Sequence, residues 1–412
     1  MSLTQVYKNI GTLLSLEGVR KKDGRRVQEE DLSLISKAAI VVSGGVIQWI
    51  GPQKKLPRIY AKKSKDIDLQ GSTVLPGFIE AHTHSIFSGS RAQEFELRNQ
   101  GVSYQEIAAR GGGILSTMTK TRAASAKSLL DLTQQRTDRF LQQGVTTLEV
   151  KTGYALNLKD EIKCLGVISQ LKGPRIVSTY LGAHAVPKEF SSADEYLHYI
   201  LEKVLPVIQK KKLSQRVDIF IEKGFFTQEQ ARHYLSTAQK MGFDCVIHAD
   251  QLSLCGGAEL AVEMSALSGD HLIQIQENQI QKLAQSRVTA LLLPAADLYM
   301  KCAYPPARKL IDAGARVALA TDFNPGSCPT QDLSLVGLLG RLEMKMTLPE
   351  VIAAYTYNAA CALKLEQKTG TIGVGFCADF ISIQKDWTDL FYQIGDQNSS
   401  KSVCSGRIFD FS

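Results

Sequence analysis

"STVLPGFIEAHTH" spans Ser72–His84 and reads as an apolar, β-branched run that ends on two histidines one residue apart. A strand sends alternate side chains to one face, so His82 and His84 project together while Thr83 points away. The kind of sheet that holds this strand decides the fold. Seven further short apolar runs follow: "VTTLEVKT" from Val145, "RIVSTYLGAH" from Arg175, "VDIFIEKG" from Val217, "DCVIHAD" from Asp244, "ALSGDHLI" from Ala266, "VTALLLPA" from Val288 and "RVALATDFN" from Arg316. Between them lie segments with helical spacing and a closing glycine, such as "SAKSLLDLTQQRTDRFLQQG" (125–144) and "TQEQARHYLSTAQKMG" (227–242). Strands alternating with helices signal a parallel sheet, and eight such units imply an α/β fold closed as a (β/α)8 barrel of the TIM type. The sixth and seventh runs are the weakest. The one carries Gly269 and the other would also suit a helix, and without both the sheet stays open.

On either side of the barrel the pattern changes. Residues 1–72 read as short strands and turns, with a hairpin signal where "AAIVVSGG" meets "VIQWIG" at Gly44 and Gly45. After a final helix "TLPEVIAAYTYNAACALKL" (347–365), residues 369–412 become glycine-rich and strand-like again. The expected division is a barrel of residues 73–368 and a small β domain shared by 1–72 and 369–412. The glycine run "ARGGGIL" (109–115) lacks the preceding strand and the Lys-Ser/Thr of a phosphate loop, and reads as a turn.

Composition narrows the partners. Among 412 residues, 48 Lys+Arg against 41 Asp+Glu give a net charge of +7, but the excess is scattered over surface-type runs with no basic stripe for nucleic acid. The eight cysteines form no Cys-x-x-Cys pair, and "MSLTQVYKNIGTLLSLEG" lacks a charged start followed by an apolar signal core. No uncharged apolar run approaches the roughly 18 residues of a membrane span. These features lead to the expectation of a soluble, cytoplasmic protein that acts on a small molecule and engages neither nucleic acid nor membrane.

In a parallel barrel the active site lies at the C-terminal ends of the strands, and there the reactive side chains collect. Strand one ends at His82 and His84, strand two at Lys151 with Tyr154 beyond, and strand three at His184. Strand five ends at His248 and Gln251, strand six carries Asp270 and His271, and strand eight leads into Asp322, Asn324 and Ser327. Of the seven histidines, His198 and His233 fall on helical segments and the other five at strand ends. A His-x-His pair alone suits packing as well as metal binding. With His248 and Asp322 it becomes three nitrogens and one carboxylate, a set for one divalent ion such as Zn²⁺ or Fe²⁺.

The order of "PGFIEAHTH", a histidine after strand five, another after strand six and an aspartate after strand eight resembles the amidohydrolase superfamily of metal-dependent hydrolases. Within it, "HTHSIFSGSRAQEFELRNQGVSYQEIAARGGGI", "VKTGYAL", "YLGAHAVP", "HADQLSLCGGAELA" and "ATDFNPGSCPT" are similar to the branch that opens the ring of 4-imidazolone-5-propanoate in histidine degradation. The resemblance runs through the whole barrel. It implies one ion, Zn²⁺ or Fe²⁺/Fe³⁺, held by His82, His84, His248 and Asp322, which lowers the pKa of a bound water from about 15.7 toward 7. It also implies that His271 polarises the carbonyl or relays a proton, that Asp322 doubles as ligand and proton acceptor, and that Arg91 grips the propionate with two parallel hydrogen bonds. Tyr154 and His184 would contact the substrate, Asn324, Gly326 and Ser327 would serve the new carboxylate of the product, and Tyr104 would join the tail site or pack against its loop. Relatives suggest a homodimer.

One departure matters: where the pattern often has glutamate in "HADE", this chain has Gln251, which can orient a substrate or water by hydrogen bonding but cannot take a proton. "KTGYAL" for the commoner "KSGYGL" and Gly269 in "SGDHL" remove no reactive group. Three other readings remain at this level. A deaminase of a heterocycle could use the same ligands, although it usually needs that glutamate. A binuclear site would need a carbamylated lysine, for which Lys151 is the candidate, and a silent barrel would be expected to have lost ligands.

Overall fold

The run at Ser72–His84 does not form one strand. The computed structural model describes residues 4–61, 64–102, 106, 112–395 and 399–411. Tyr104 and the start of the glycine run, residues 109–111, lie outside them. Five strands precede the barrel: β1 (Thr4–Leu14), β2 (Leu34–Ser43), β3 (Val46–Pro52), β4 (Ser64–Asp68) and β5 (Thr73–Pro76). The eight expected barrel strands follow as β6 (Phe78–Glu80), β7 (Val145–Lys151), β8 (Arg175–Ala183), β9 (Arg216–Phe220), β10 (Asp244–Ala249), β11 (Ser268–His271), β12 (Thr289–Leu292) and β13 (Arg316–Leu319). Then come β14 (Phe380–Ile383), β15 (Lys401–Cys404) and β16 (Arg407–Asp410).

The strands β6 to β13 are paired in chain order in one parallel sheet, nearly closed, with helices between them. The weaker sixth and seventh runs form β11 and β12. A separate sheet takes the order β16-β15-β14-β5-β1-β2-β3, with β4 paired to β1, so strands from both ends of the chain share it. Its own apolar cluster includes Tyr7, Ile10, Ile40, Val42 and Phe380. The β2–β3 hairpin turns at Gly44 and Gly45, whose φ angles of 61° and 76° are the left-handed values a two-residue turn requires.

The chain crosses from one sheet to the other within a residue. Thr73–Pro76, expected in the barrel, pairs instead with β1 and β14, and the barrel begins at Phe78 rather than at residue 73. The Gly77 N–H donates to the Asp379 carbonyl at 3.1 Å while the next N–H, of Phe78, donates to Gly144 at 3.0 Å. A Cβ at Gly77 would lie 2.2 Å from the Thr146 side chain, so only glycine fits this crossing. The final helix also divides, into Leu348–Ala354 and Tyr357–Ala362, because the Tyr355 carbonyl between them accepts the Ile79 N–H of β6 at 2.8 Å.

Candidate active site

The first and last barrel strands meet at a seam closed by side chains as well as backbone. The buried Glu80 carboxyl accepts the His82 N–H at 3.2 Å and the Thr321 N–H at 3.1 and 3.2 Å, tying the end of β6 to the end of β13. Burial pushes the Glu80 carboxyl up to about 8. Beyond it the Asp322 N–H donates to the His82 carbonyl at 3.1 Å and the His84 N–H to Phe323 at 2.9 Å. The histidine pair and the aspartate, far apart in sequence, therefore face each other. Asp322 and His271 reach this position with φ of 56° and 77°, an uncommon left-handed backbone for residues with a Cβ.

The ligand atoms converge. Asp322 Oδ1 lies 3.5 Å from His82 Nε2 and 3.4 Å from His84 Nε2. Candidate ligand atoms lie within 4.8 Å of one another in two groups, His82/His84/Asp322 and His82/His248/His271. The far sides of two rings are fixed: His82 Nδ1 is 2.6 Å from Asp270 Oδ2, and His248 Nδ1 is 3.0 Å from Asp218 Oδ1. A carboxylate on one ring nitrogen directs the other outward, a common arrangement behind metal-binding imidazoles. His82 Nε2, His248 Nε2 and Asp322 Oδ1 are buried without a hydrogen-bond partner among the described residues. Each such atom costs about 1–3 kcal/mol, so several aimed at one point fit a bound cation.

Burial holds His271 and His184 well below the usual histidine range and lowers His84 to about 4, so these imidazoles are neutral at physiological pH. Burial would raise the Asp322 carboxyl, but the His82 and His84 imidazoles 3.5 and 3.4 Å away outweigh it and hold the group well below the usual carboxylate range, so it is ionised.

A cavity of about 500 Å³ opens above these atoms, lined by His84, His248, His271 and Asp322 and, farther out, by Arg91, Tyr154, His184, Gln251, Asn324, Gly326 and Ser327. His82 sits behind it, fully buried. The other ligand and substrate-contact candidates read from the sequence, Tyr104 and Lys151 apart, thus line one space. Arg91 Nε donates to Glu94 at 2.7 Å, and Glu94 in turn accepts the Gly113 N–H at 3.1 Å. A Cβ at Gly326 would fall 2.0 Å from Arg91 Nη1, so the absence of a side chain there makes room for the guanidinium. His184 Nδ1 is 2.9 Å from the Gly153 carbonyl, and its ring stacks on His84 with centroids 5.3 Å apart. Gln251 Nε2 lies 3.9 Å from Met300 Sδ, and its loop is anchored by the Glu222 carboxylate, which accepts the Leu252 and Ser253 N–H groups at 2.8 and 3.1 Å.

Two residues differ from expectation in what their side chains do. The Asn324 amide donates to the Asp322 carbonyl and to Ser327 Oγ while its oxygen accepts the Gly326 and Ser327 N–H groups, so it builds the turn. Lys151 lies below the cavity and not in its wall, 3.0 Å from both Glu149 and Asp218, which removes the carbamylated-lysine reading. Sequence reasoning missed Glu80, Glu149 and Asp218, whose signal was a charge inside an apolar strand, and Phe95, Arg98, Tyr299 and Met300 of the cavity wall, which gave none.

Asp297 supplies a pH prediction. Its side chain is buried, Oδ2 has no partner among the described residues, and burial together with the nearby Asp322 charge pushes the carboxyl up to about 8. The folded chain thus holds a proton that the unfolded chain, with a carboxyl pKa of about 3.9, has lost. This group's contribution to stability therefore falls as pH rises from about 4 to about 8. Asp297→Asn, which cannot ionise, is expected to raise Tm relative to the parent by more at pH 8 than at pH 5, in a thermal melt. An equal gap at both would refute it.

Residues 73–409 match the amidohydrolase family. Over 404 residues the chain is 60% identical to an imidazolonepropionase of Bdellovibrio bacteriovorus, covering 98% of this chain and 96% of that protein. Over 380 residues it is 43% identical to an imidazolonepropionase of Bacillus cytotoxicus, covering 90% and 88%. Its fold is similar to the crystal structure of a Xanthomonas campestris adenosine deaminase with bound zinc, with a TM-score of 0.73, 17% identity and coverage of 98% and 92%. At that identity the likeness speaks for the fold alone.

Proposed function

The chain belongs to the amidohydrolase family, among its imidazolonepropionases, and on that footing we propose how its cavity carries the reaction. The enzyme adds water to the ring carbonyl of 4-imidazolone-5-propanoate, breaks the cyclic carbon–nitrogen bond and yields N-formimidoyl-L-glutamate, a step of histidine degradation.

The observation that carries the site reading is the convergence of unpartnered, buried ligand atoms at one end of the barrel, with a guanidinium in the wall of the same cavity. His82, His84, His248 and Asp322 would hold one ion, Zn²⁺ or Fe²⁺/Fe³⁺, and their nitrogen and carboxylate donors suit either. Bound there, such an ion supplies Lewis acidity and a water activated at neutral pH. Arg91, aimed by Glu94, binds the propionate and sets the distance from tail to reacting carbon. Tyr154 and His184 flank the ring. His271, a neutral imidazole, donates a hydrogen bond to the carbonyl oxygen as negative charge grows there. Asp322, ionised, accepts the proton of the attacking water and returns it to the departing ring nitrogen. Gln251 orients the substrate, and Gly326 and Ser327 border the place where the new carboxylate forms.

The same proposal makes the protein a cytoplasmic homodimer, with a small β unit of both chain ends beside the barrel. It is consistent with the finding that no helix among the described residues is long and apolar enough to cross a membrane. Decay of imidazolone absorbance on adding enzyme, against a panel of amino-substituted heterocycles, tests the assignment. Ring opening is expected; release of ammonia from an amino-heterocycle in its place would make the site that of a deaminase. Gln251→Glu is expected to keep substantial activity and Gln251→Ala to raise KM or lower kcat. A Gln251→Glu enzyme faster by several orders of magnitude would mean that a carboxylate base belongs at this position.

A further inference from the structure

Under the cavity, five ionisable side chains fill the barrel interior: Glu80, Glu149, Lys151, Asp218 and Asp270, each at most 1% exposed and none in the cavity wall. Lys151 is the one cation among them. Its Nζ lies 3.0 Å from Glu149 Oε1, 3.0 Å from Asp218 Oδ2 and 3.9 Å from Asp270 Oδ2. Each of these carboxylates leads to the ligand set. Asp218 holds His248 by its other oxygen, Asp270 holds His82, and Glu149 Oε2 accepts the N–H of Thr83, between His82 and His84, at 3.1 Å. The Lys151 N–H itself donates to the Thr83 carbonyl at 2.9 Å.

The carboxylates come from β7, β9 and β11, alternate strands that contribute to one interior layer of a barrel. Such a buried ion cluster is expensive to desolvate, and an apolar layer of similar volume would stabilise the fold as well or better. Stability is therefore a poor reason for its presence. Three carboxylates crowded together would repel and rotate without a cation between them, and each rotation would re-aim an imidazole or shift the backbone between two others.

We propose that Lys151 is a positioning residue of the metal site, its ammonium fixing the Asp218 and Asp270 carboxylates that aim His248 and His82, and fixing through Glu149 the peptide between His82 and His84. The proposal rests on the metal-site reading above. Partners that orient metal-bound histidines typically govern about 10- to 100-fold in metal affinity. Lys151→Met removes the charge at similar length. Glu149→Gln combined with Lys151→Met removes one charge of each sign and leaves an amide oxygen for Thr83.

The test compares Zn²⁺ affinity by chelator competition, the visible spectrum of the Co²⁺-loaded protein and the Tm of the metal-free protein. In both variants the Zn²⁺ Kd is expected to rise about 10- to 100-fold and the Co²⁺ bands to shift. In the double variant the metal-free Tm should recover toward that of the parent. Should Lys151→Met not fold, the double variant carries the same comparison. A Kd within about twofold of the parent and an unchanged Co²⁺ spectrum, even with a lowered Tm, would reduce Lys151 to a structural role and overturn the proposal. If the parent takes up no ion, the metal-site reading falls and the clamp with it, whereas uptake by the parent with unchanged variants removes the clamp alone.

Discussion

His248→Ala is expected to lower kcat/KM by at least about a thousandfold, some 4 kcal/mol of transition-state stabilisation, and to lower the metal content of the purified protein. The reason lies in the geometry. His248 Nε2 is buried with no partner among the described residues, and its ring is fixed from behind by Asp218. Alanine removes a donor that the cavity cannot replace. It also strands the Asp218 carboxylate, so Asp322→Asn provides a second variant that keeps the side-chain volume and still loses the ligand charge and the proton acceptor. Ring-opening rate and metal per chain, measured on the same preparation, form the check. Full metal content with a near-parental rate in either variant would sink the assignment of that residue.

The second large effect belongs to the tail of the substrate. Arg91→Ala should raise KM far more than it lowers kcat, with kcat/KM falling by about 2–5 kcal/mol, the usual cost of truncating one partner of a buried charge pair. Arg91→Lys should recover little, because an ammonium cannot make two parallel bonds to a carboxylate. Gly326→Ala tests the same grip from the opposite wall. Its Cβ would overlap the guanidinium at 2.0 Å, and Gly326 has no positive φ to add backbone strain, so Arg91 must move. A KM shift in the same direction as Arg91→Ala, but smaller, is the expected result. An unchanged KM in Arg91→Ala would mean that another cation of the wall, such as Arg98 or Lys301, recognises the tail.

How much of this was legible before the fold was known depends on the kind of signal. The alternation of apolar runs and helical segments gave the eight barrel strands, and the position of histidines and acids at the ends of those runs gave His84, His184, His248, His271 and Asp322 of the cavity wall. Both are local signals, because strand period and strand end are written within a few residues. The crossing at Gly77 was not legible. "STVLPGFIE" is apolar throughout, and only the competing partners on its two sides, β14 and β7, decide where one sheet stops and the other starts.

The same limit applies inside the site. The sequence by itself determined which side chains stand at the strand ends, and with them the family's chemistry. It left Glu80, Glu149 and Asp218 as isolated charges in apolar strands, and Lys151 as a candidate for the wrong role. Only the assembled barrel shows that Lys151 stands among Glu149, Asp218 and Asp270, that Glu80 ties β6 to β13, that Asp322 comes back to the histidine pair across the seam, and that Gly326 leaves room for Arg91. The physical reason is that a residue's type and its strand face are set by its neighbours in the chain, whereas its charge partners come from strands far away in sequence. Burial makes those partners obligatory, and closure of the barrel chooses them.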